Sequence, residues 1–395
     1  MSRTLDGVRI LDLTRMLAGP YGSMLLADMG AEVIKVEDPR GGDPIRLMGP
    51  PYLSGESVYF LSINRNKKSV TLDLKSDGGR ALFLELVAVS DVVLDNFRPG
   101  VPERLGIDPA SCRAAKPDIV TCALTAFGSD GPYRDLPAFD LILQAMGGAM
   151  SITGEPGRQP VRMGLPMGDL AGGMFAAQAV CGALFHRERT GEPQHIDLSL
   201  LDVQASLLTY VAQYHWADGR VPGPVGTGHQ TVVPYDSFEC ADGLGIVVAV
   251  FTDRFWPPFC EAIDMPELTD RYPTNPDRLA SKEELLDGLR RRFLDRPADE
   301  WIAVLREAGV PCGAVNTVDR VVTDPQIVAR GMVAETARPH LVAGIYPVLG
   351  NPVHVGDEER YEPAPVLGQH NDEIYRGLLG VDDERLAALR ERGTV

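Results

Sequence analysis

Short apolar runs separated by helical stretches, with glycine or proline at the joints, constrain this chain more than any other feature. Val8-Arg9-Ile10-Leu11-Asp12-Leu13 has the length of a strand, and Thr14 to Pro20 breaks it. Tyr21 to Met29 carries a helical pattern closed by Gly30, and Glu32-Val33-Ile34-Lys35-Val36-Glu37 is a second strand. Leu82, Leu86 and Val89 share one helical face ahead of Val92-Val93-Leu94, and Ile119 to Leu124 supplies a further strand. Strands that alternate with helices pack as a parallel sheet covered on both faces. Asp169 to His186 is rich in Ala and Gly without proline, which predicts a buried helix, followed by a strand at Ile196 to Leu200. Pro222, Pro224 and the glycines up to Gly228 mark a linker. Beyond Tyr235, a strand at Gly245 to Val250 with amphipathic helices at Lys282 to Leu294 and Ala298 to Ala308 predicts a smaller second domain. Polar helices are expected at Asn371 to Leu379 and Asp382 to Glu391.

The chain has 395 residues, 44% of them hydrophobic and 24% charged, which is enough for more than one packed core. No uninterrupted apolar stretch approaches the roughly 20 residues that span a bilayer, so a cytoplasmic protein is expected. Its six cysteines are scattered singly, without CxxC pairs or nearby histidines at ligand spacing, and point to neither a zinc site nor a disulfide framework. A formal charge of −17 argues against nucleic acid or an anionic membrane as partner, because clustered Lys and Arg drive such binding. Residues 1–115 hold 14 Lys and Arg against 15 Asp and Glu, so the acidic excess lies farther along and the first third can still build a basic pocket.

The strand–turn–helix at Leu13 to Met29 has the outline of a nucleotide-cradling turn, but it lacks GxGxxG and a Walker lysine. Asn64-Arg65-Asn66-Lys67-Lys68-Ser69 reads as a solvated charged loop or as a group of cations and amides that meets a ligand. Asp169, in Met167-Gly168-Asp169-Leu170-Ala171-Gly172-Gly173, admits two readings. As an N-cap it would accept orphan backbone N–H groups. As a nucleophile it would be held ionised by the helix dipole, with an ordinary carboxyl pKa of about 3.9 and no need of a general base. No GxSxG or recognisable Ser-His-Asp arrangement supports a hydrolase, and HxxxH-type metal spacings are missing.

Several stretches together resemble the class III CoA-transferases, the CaiB–BaiF group, over nearly the whole chain. They are Leu5 to Leu13, Leu17-Ala18-Gly19-Pro20, Gly30 to Glu37, Asn64 to Ser69, Asn96-Phe97-Arg98-Pro99-Gly100 and Gly168-Asp169. The resemblance implies an α/β fold with a Rossmann-like large domain from residues 1–205 and 330–395. A linker at 206–230 and a small α+β domain with its return linker at 231–329 would complete it, in an interlocked homodimer. It also implies Asp169 as the catalytic residue, with coenzyme A against Arg15, Met16, Arg40, Leu72, Lys75, Asn96, Phe97 and Arg104. Coenzyme A would be a substrate, with no metal and no permanently bound cofactor.

The implied reaction passes coenzyme A from an acyl-CoA to a carboxylic acid through an anhydride and an aspartyl-CoA thioester. An α-methylacyl-CoA racemase is the alternative within the family, but Phe139 stands where the racemase has its histidine, and Thr252 where it has its glutamate. The glycine-rich loop of formyl-CoA:oxalate transferases, a second alternative, is missing near Ala249 to Thr252. Gly226 to His229, Val233-Pro234-Tyr235 and Leu367-Gly368-Gln369-His370 look more like succinyl-CoA:dicarboxylate transferases. On that resemblance Arg46 and His229 are the candidates for a distal carboxylate.

Overall fold

The computed structural model describes residues 3–337, 344–355 and 361–395. The chain divides into two compact units, one of 1–149, 162–217 and 328–395 and the other of 150–161 and 218–327. The excursion at 150–161 into the second unit has no sequence signal, and the segment expected as a linker opens with a helix, Thr209–Asp218.

Six strands make the sheet of the larger unit: β1 Arg9–Asp12, β2 Glu32–Glu37, β3 Lys67–Thr71, β4 Val92–Asp95, β5 Val120–Thr125 and β6 His195–Ser199. All pair in parallel, in the spatial order β3-β2-β1-β4-β5-β6. The order reverses between β1 and β4, and in open α/β sheets the crevice at the C-terminal ends of such strands is where ligands bind. The helices that matter for the site are α1 Ala18–Asp28, α2 Val58–Ile63, α3 Asp77–Ala88, α4 Asp140–Met146, α5 Met167–Thr190 and α6 Leu200–Leu207.

Leu82 and Leu86 of α3 are buried as their spacing predicts, but Val89 falls just past the helix end and is exposed. Helix α5 is long and apolar enough to cross a membrane, yet half of its apolar window is buried in the protein. It packs on α1 at a backbone-to-backbone contact. A Cβ at Gly22 would lie 2.6 Å from the Gly173 carbonyl oxygen, and one at Gly173 would lie 2.5 Å from that of Ala18. Only glycine permits this approach.

Asn64 to Ser69 is no solvated loop. Lys67 begins β3 fully buried, its Nζ donating to Asp12 Oδ2 at 3.1 Å, the Pro20 carbonyl at 2.8 Å and Asn64 Oδ1 at 2.9 Å. Arg65 is buried against Asp28, and Lys35 pairs with Asp43 at 3.0 Å while donating to the Thr14 carbonyl at 2.7 Å. Burial pushes the Asp12 carboxyl up, but Lys67, Lys35 and the Ser23 and Thr14 hydroxyls outweigh it and hold it at about 2. Burial dominates for Lys67, which falls to about 8 despite Asp12.

The C-terminal segment closes the free edge of β3. His370 donates its backbone N–H to the Ser69 carbonyl and accepts the Ser69 N–H on Nδ1, and Asn371 Oδ1 accepts from Thr71. An exposed parallel edge is thereby covered. The helices beyond are not purely polar: a π-helix at Glu373–Leu378 buries Ile374 and Tyr375, and Asp383–Glu391 buries Leu386.

The smaller unit has a three-stranded antiparallel sheet, Cys312–Ala314, Gly245–Ala249 and Tyr235–Glu239, over a core with Trp256, Phe259, Phe293 and Trp301. Arg278 is fully buried there, donating to the Val233 carbonyl and Asp253 Oδ1, both at 2.6 Å.

Removing one partner from a buried ion pair leaves an uncompensated charge, which typically costs about 3–5 kcal/mol. Lys67→Ala should therefore lower the unfolding free energy by about that much, read from the urea midpoint at unchanged slope. A change near zero would mean that the Lys67–Asp12 pair does not hold the sheet together.

Candidate active site

The cavity at the strand-order reversal has a volume of about 230 Å³. Arg15, Met16, Leu17 and Ala18 wall it after β1, Asn96 to Pro99 after β4 and Leu124 to Ala126 at the end of β5, with Arg134, Leu136 to Phe139, Leu143, Leu200 and Asp169 on the remaining sides. A second cavity of about 300 Å³ shares Arg15 and Phe97 with the first and adds Leu72, Lys75, Val101 and Arg104. Seven of the eight residues expected to meet coenzyme A thus line this pair of adjoining cavities. The eighth, Arg40, lies on neither wall. It forms a bidentate pair with Asp38, which does line the second cavity, and with burial opposing, it holds that carboxyl at about 2.

The two loops of the crevice are tied to each other. Asn96 Oδ1 accepts the Arg15 N–H at 3.0 Å, and its Nδ2 donates to the Arg15 carbonyl at 2.8 Å. Met16 takes a left-handed backbone with φ of 70°, unusual for a side chain other than glycine, and its N–H donates to Asp43 Oδ1. Buried Lys35 holds that same Asp43, so core ion pairs fix the cavity floor.

Asp169 is not an N-cap. Helix α5 begins at Met167 after Pro166, and no side chain caps it at that position. Asp140, the first residue of α4, does the capping instead: its Oδ1 accepts the Gly168 N–H at 2.9 Å and the Asp169 N–H at 3.3 Å. Its Oδ2 accepts Gln144 Nε2 at 2.6 Å, and Gln144 Oε1 in turn accepts the Met163 N–H. Asp140 thus collects the stabilisation that the helix start offers an anion, and Asp169 stands in the cavity wall beside it.

The protonation of Asp169 follows from that placement. Burial, then the neighbouring Asp140 charge, push its carboxyl up to about 7, opposite to the low value expected from a helix N-terminus. The dipole contributes typically 0.3–1 kcal/mol, less than one pKa unit, so it loses to desolvation and a like charge together. Tyr59 of α2, raised to about 12 by burial and then by Asp169, faces the same group.

Arg46 is engaged elsewhere. Its guanidinium forms a bidentate pair with buried Glu37 at 2.8 and 2.6 Å and lies 3.7 Å from the centre of the Phe60 ring. These contacts tie the turn that carries Arg46 to the end of β2. His229 lies in the smaller unit, where its Nδ1 accepts the Thr231 N–H and its ring packs against Tyr235 and Phe251. Sequence reasoning missed Asp140, Gln144 and Tyr59. Asp140 stands beside Phe139, but nothing local connects it to Asp169, 29 positions on.

The model for CoA-transferase family III matches residues 5–371. The chain belongs to that family. It is 37% identical to succinyl-CoA:glutarate CoA-transferase of Homo sapiens over the whole of this chain and 90% of that protein. It is 38% identical to acetyl-CoA:oxalate CoA-transferase of Acetobacter aceti over 92% of this chain and 93% of that one. A crystal structure of a CaiB/BaiF family protein from Brucella suis superposes with a TM-score of 0.85 at 36% identity, covering 96% of this chain and all of that one.

Two pH effects follow from Asp169. Its folded pKa of about 7 lies above the unfolded value, so the fold loses stability as pH rises from about 4 through 7 and the buried group must ionise. Asp169→Asn should therefore stabilise the protein at pH 8, on the order of 1–3 kcal/mol, and hardly at all at pH 4, measured by urea unfolding. Asp140→Asn keeps the cap acceptor but removes the charge, and should move the Asp169 titration downward by about one unit, seen in the pH dependence of turnover.

Proposed function

We propose that this family member moves coenzyme A from succinyl-CoA to a small dicarboxylic acid, with Asp169 as covalent nucleophile. The observation that carries the reading is the meeting of Asp169 with Arg15, Met16, Asn96 and Phe97 in one cavity, which shares Arg15 and Phe97 with a second lined by Lys75 and Arg104. The five cations along the walls, Arg15, Arg98, Arg134, Lys75 and Arg104, suit the phosphates of coenzyme A in a chain that is acidic overall. The dicarboxylate is inferred from the names of the human and Acetobacter relatives, which share a dicarboxylic acceptor, and the donor from the human one.

In the proposed mechanism an Asp169 carboxylate oxygen attacks the thioester carbonyl and expels the coenzyme A thiolate, leaving a mixed anhydride. The thiolate attacks the Asp169 carbonyl, the donor acid departs, and an aspartyl-CoA thioester remains. The acceptor carboxylate attacks this thioester and releases thiolate again. Thiolate attack on the acceptor carbonyl then frees Asp169. Each step exchanges one acyl bond for another. The apolar wall of Leu136, Ala138, Phe139, Leu143 and Leu200 would limit hydrolysis of the anhydride.

Racemisation needs a second proton carrier opposite Asp169. The position that would supply it holds Phe139, whose side chain lines the cavity, and this favours transfer. The reading includes a cytosolic interlocked homodimer, supported by the family resemblance and by apolar side chains left exposed on α5 and the helix Thr209–Asp218, Phe185 and Trp216 among them. Light scattering after native dilution should give twice the chain mass, and a monomer would overturn the dimer.

Incubated with succinyl-CoA, the Asp169 peptide should carry a coenzyme A adduct that hydroxylamine removes. Asp169→Ala should lose at least about a thousandfold in turnover, the scale expected when a covalent nucleophile is deleted. In an acceptor screen by mass spectrometry, glutarate, malate or oxalate should outperform fatty acids. Near-wild-type transfer by Asp169→Ala would end the mechanism, and equal use of fatty acids would end the dicarboxylate assignment.

A further inference from the structure

Gln204 of α6 is 1% exposed, and its Nε2 is a buried donor without a hydrogen-bond partner. Leaving such a donor unpaired is costly, and a side chain that held only the core together would be better served by an apolar residue of similar shape. The surroundings make room for this amide. A Cβ at Gly147 would lie 2.4 Å from Gln204 Cβ, and one at Gly168 would lie 2.7 Å from Gln204 Nε2 and 2.9 Å from Asp140 Oδ1. Two glycines thus let the glutamine reach across the end of α4 to the start of α5, where its amide and the Asp140 carboxylate converge on Gly168.

Asp140 has a place for it. A carboxylate offers about four acceptor sites, and three N–H groups occupy them here: Gly168 and Asp169 on Oδ1 and Gln144 on Oδ2. Gln144, equally buried, has both ends of its amide satisfied. Of the two glutamines around Asp140, one is engaged and one is held in reserve.

We propose that Gln204 is a positioning residue of the reaction centre, its free amide N–H serving as a fourth donor to Asp140 when Asp169 becomes an anion. Ionisation of Asp169 sets two negative charges side by side in a poorly solvated wall. A donor drawn onto Asp140 disperses one of them and lets the other form. The remaining titratable and charged groups that face Asp169 are Tyr59 on α2 and Arg15, Arg98 and Arg134 along the cavity. None of them occupies the position of the glutamine. The proposal rests on the reading of Asp169 as the nucleophile.

The test is the pH profile of succinyl-CoA-dependent transfer in Gln204→Met, which keeps the volume and removes the donor, and in Gln204→Glu, which keeps the shape and adds an acid. The Met variant should shift the acidic limb upward by about one unit, so that turnover falls about tenfold below pH 7 and much less at pH 9. The Glu variant should shift it further. A purely structural role would give the same fold-loss at every pH, and an unshifted limb in both variants overturns the proposal. If Gln204→Met does not fold, the Glu variant decides by the same criterion. Asp169→Ala separates the two levels. An inactive Asp169→Ala with unshifted Gln204 variants sinks this inference alone, whereas an active Asp169→Ala sinks the nucleophile reading.

Discussion

The buried charges beneath the first βα turn are the constraint on which the rest of the site depends. Lys67 and Lys35 reach from β3 and β2 to Asp12 and Asp43. Lys67 also takes the Pro20 carbonyl at the start of α1, and Lys35 the Thr14 carbonyl in the turn. Four segments that are distant in sequence are thus fixed by charge-assisted hydrogen bonds in a region where an unpaired charge would cost several kcal/mol. The turn that this network holds presents Arg15 and the left-handed Met16 to the cavity. The Gly22–Gly173 contact then sets α5, and with it Asp169, against the same turn.

Much of the sheet was legible in the sequence because its strands carry short apolar or alternating runs bounded by Gly, Pro and polar residues. Glu32 to Glu37 coincides with β2, and the other runs fall within a residue or two of β1, β4, β5 and β6. β3 was missed because Asn64 to Ser69 has the composition of a surface loop, and only pairing with acids from β1, β2 and α1 makes such a stretch buriable. Local chemistry carries no record of partners that lie far off in the chain. Arg46 has a partner of the same kind, since its guanidinium pairs with Glu37 from a neighbouring element.

The residues proposed for the site come from the family resemblance, and the topology accounts for why several of them sit after strand ends. Arg15 and Met16 follow β1 after a short turn, and Asn96 and Phe97 follow β4 directly, where the topology places ligands. Cations illustrate the limit. Lys35, Arg65 and Lys67 are spent on core pairs while Lys75 and Arg104 line a cavity, and nothing in the composition of the first 115 residues separates the two sets. Asp169 is singled out by the family resemblance, but the ionised carboxylate expected there does not follow from the structure, because the helix start that should have held it ionised is capped by Asp140.

That inversion bears on the proposed chemistry. A carboxylate raised to about 7 by burial and a like charge is about half ionised at neutral pH, which costs roughly twofold in reactive species. The same burial and repulsion are relieved when the carboxylate becomes part of an anhydride or thioester, since the charge then leaves Asp169. Each 1.4 kcal/mol of such relief expressed in the transition state accelerates acylation about tenfold. A shift of this size therefore gains more in reactivity than it loses in population. Asp140 would hinder a carboxylate that only bound a cation, and it favours one that is to be acylated.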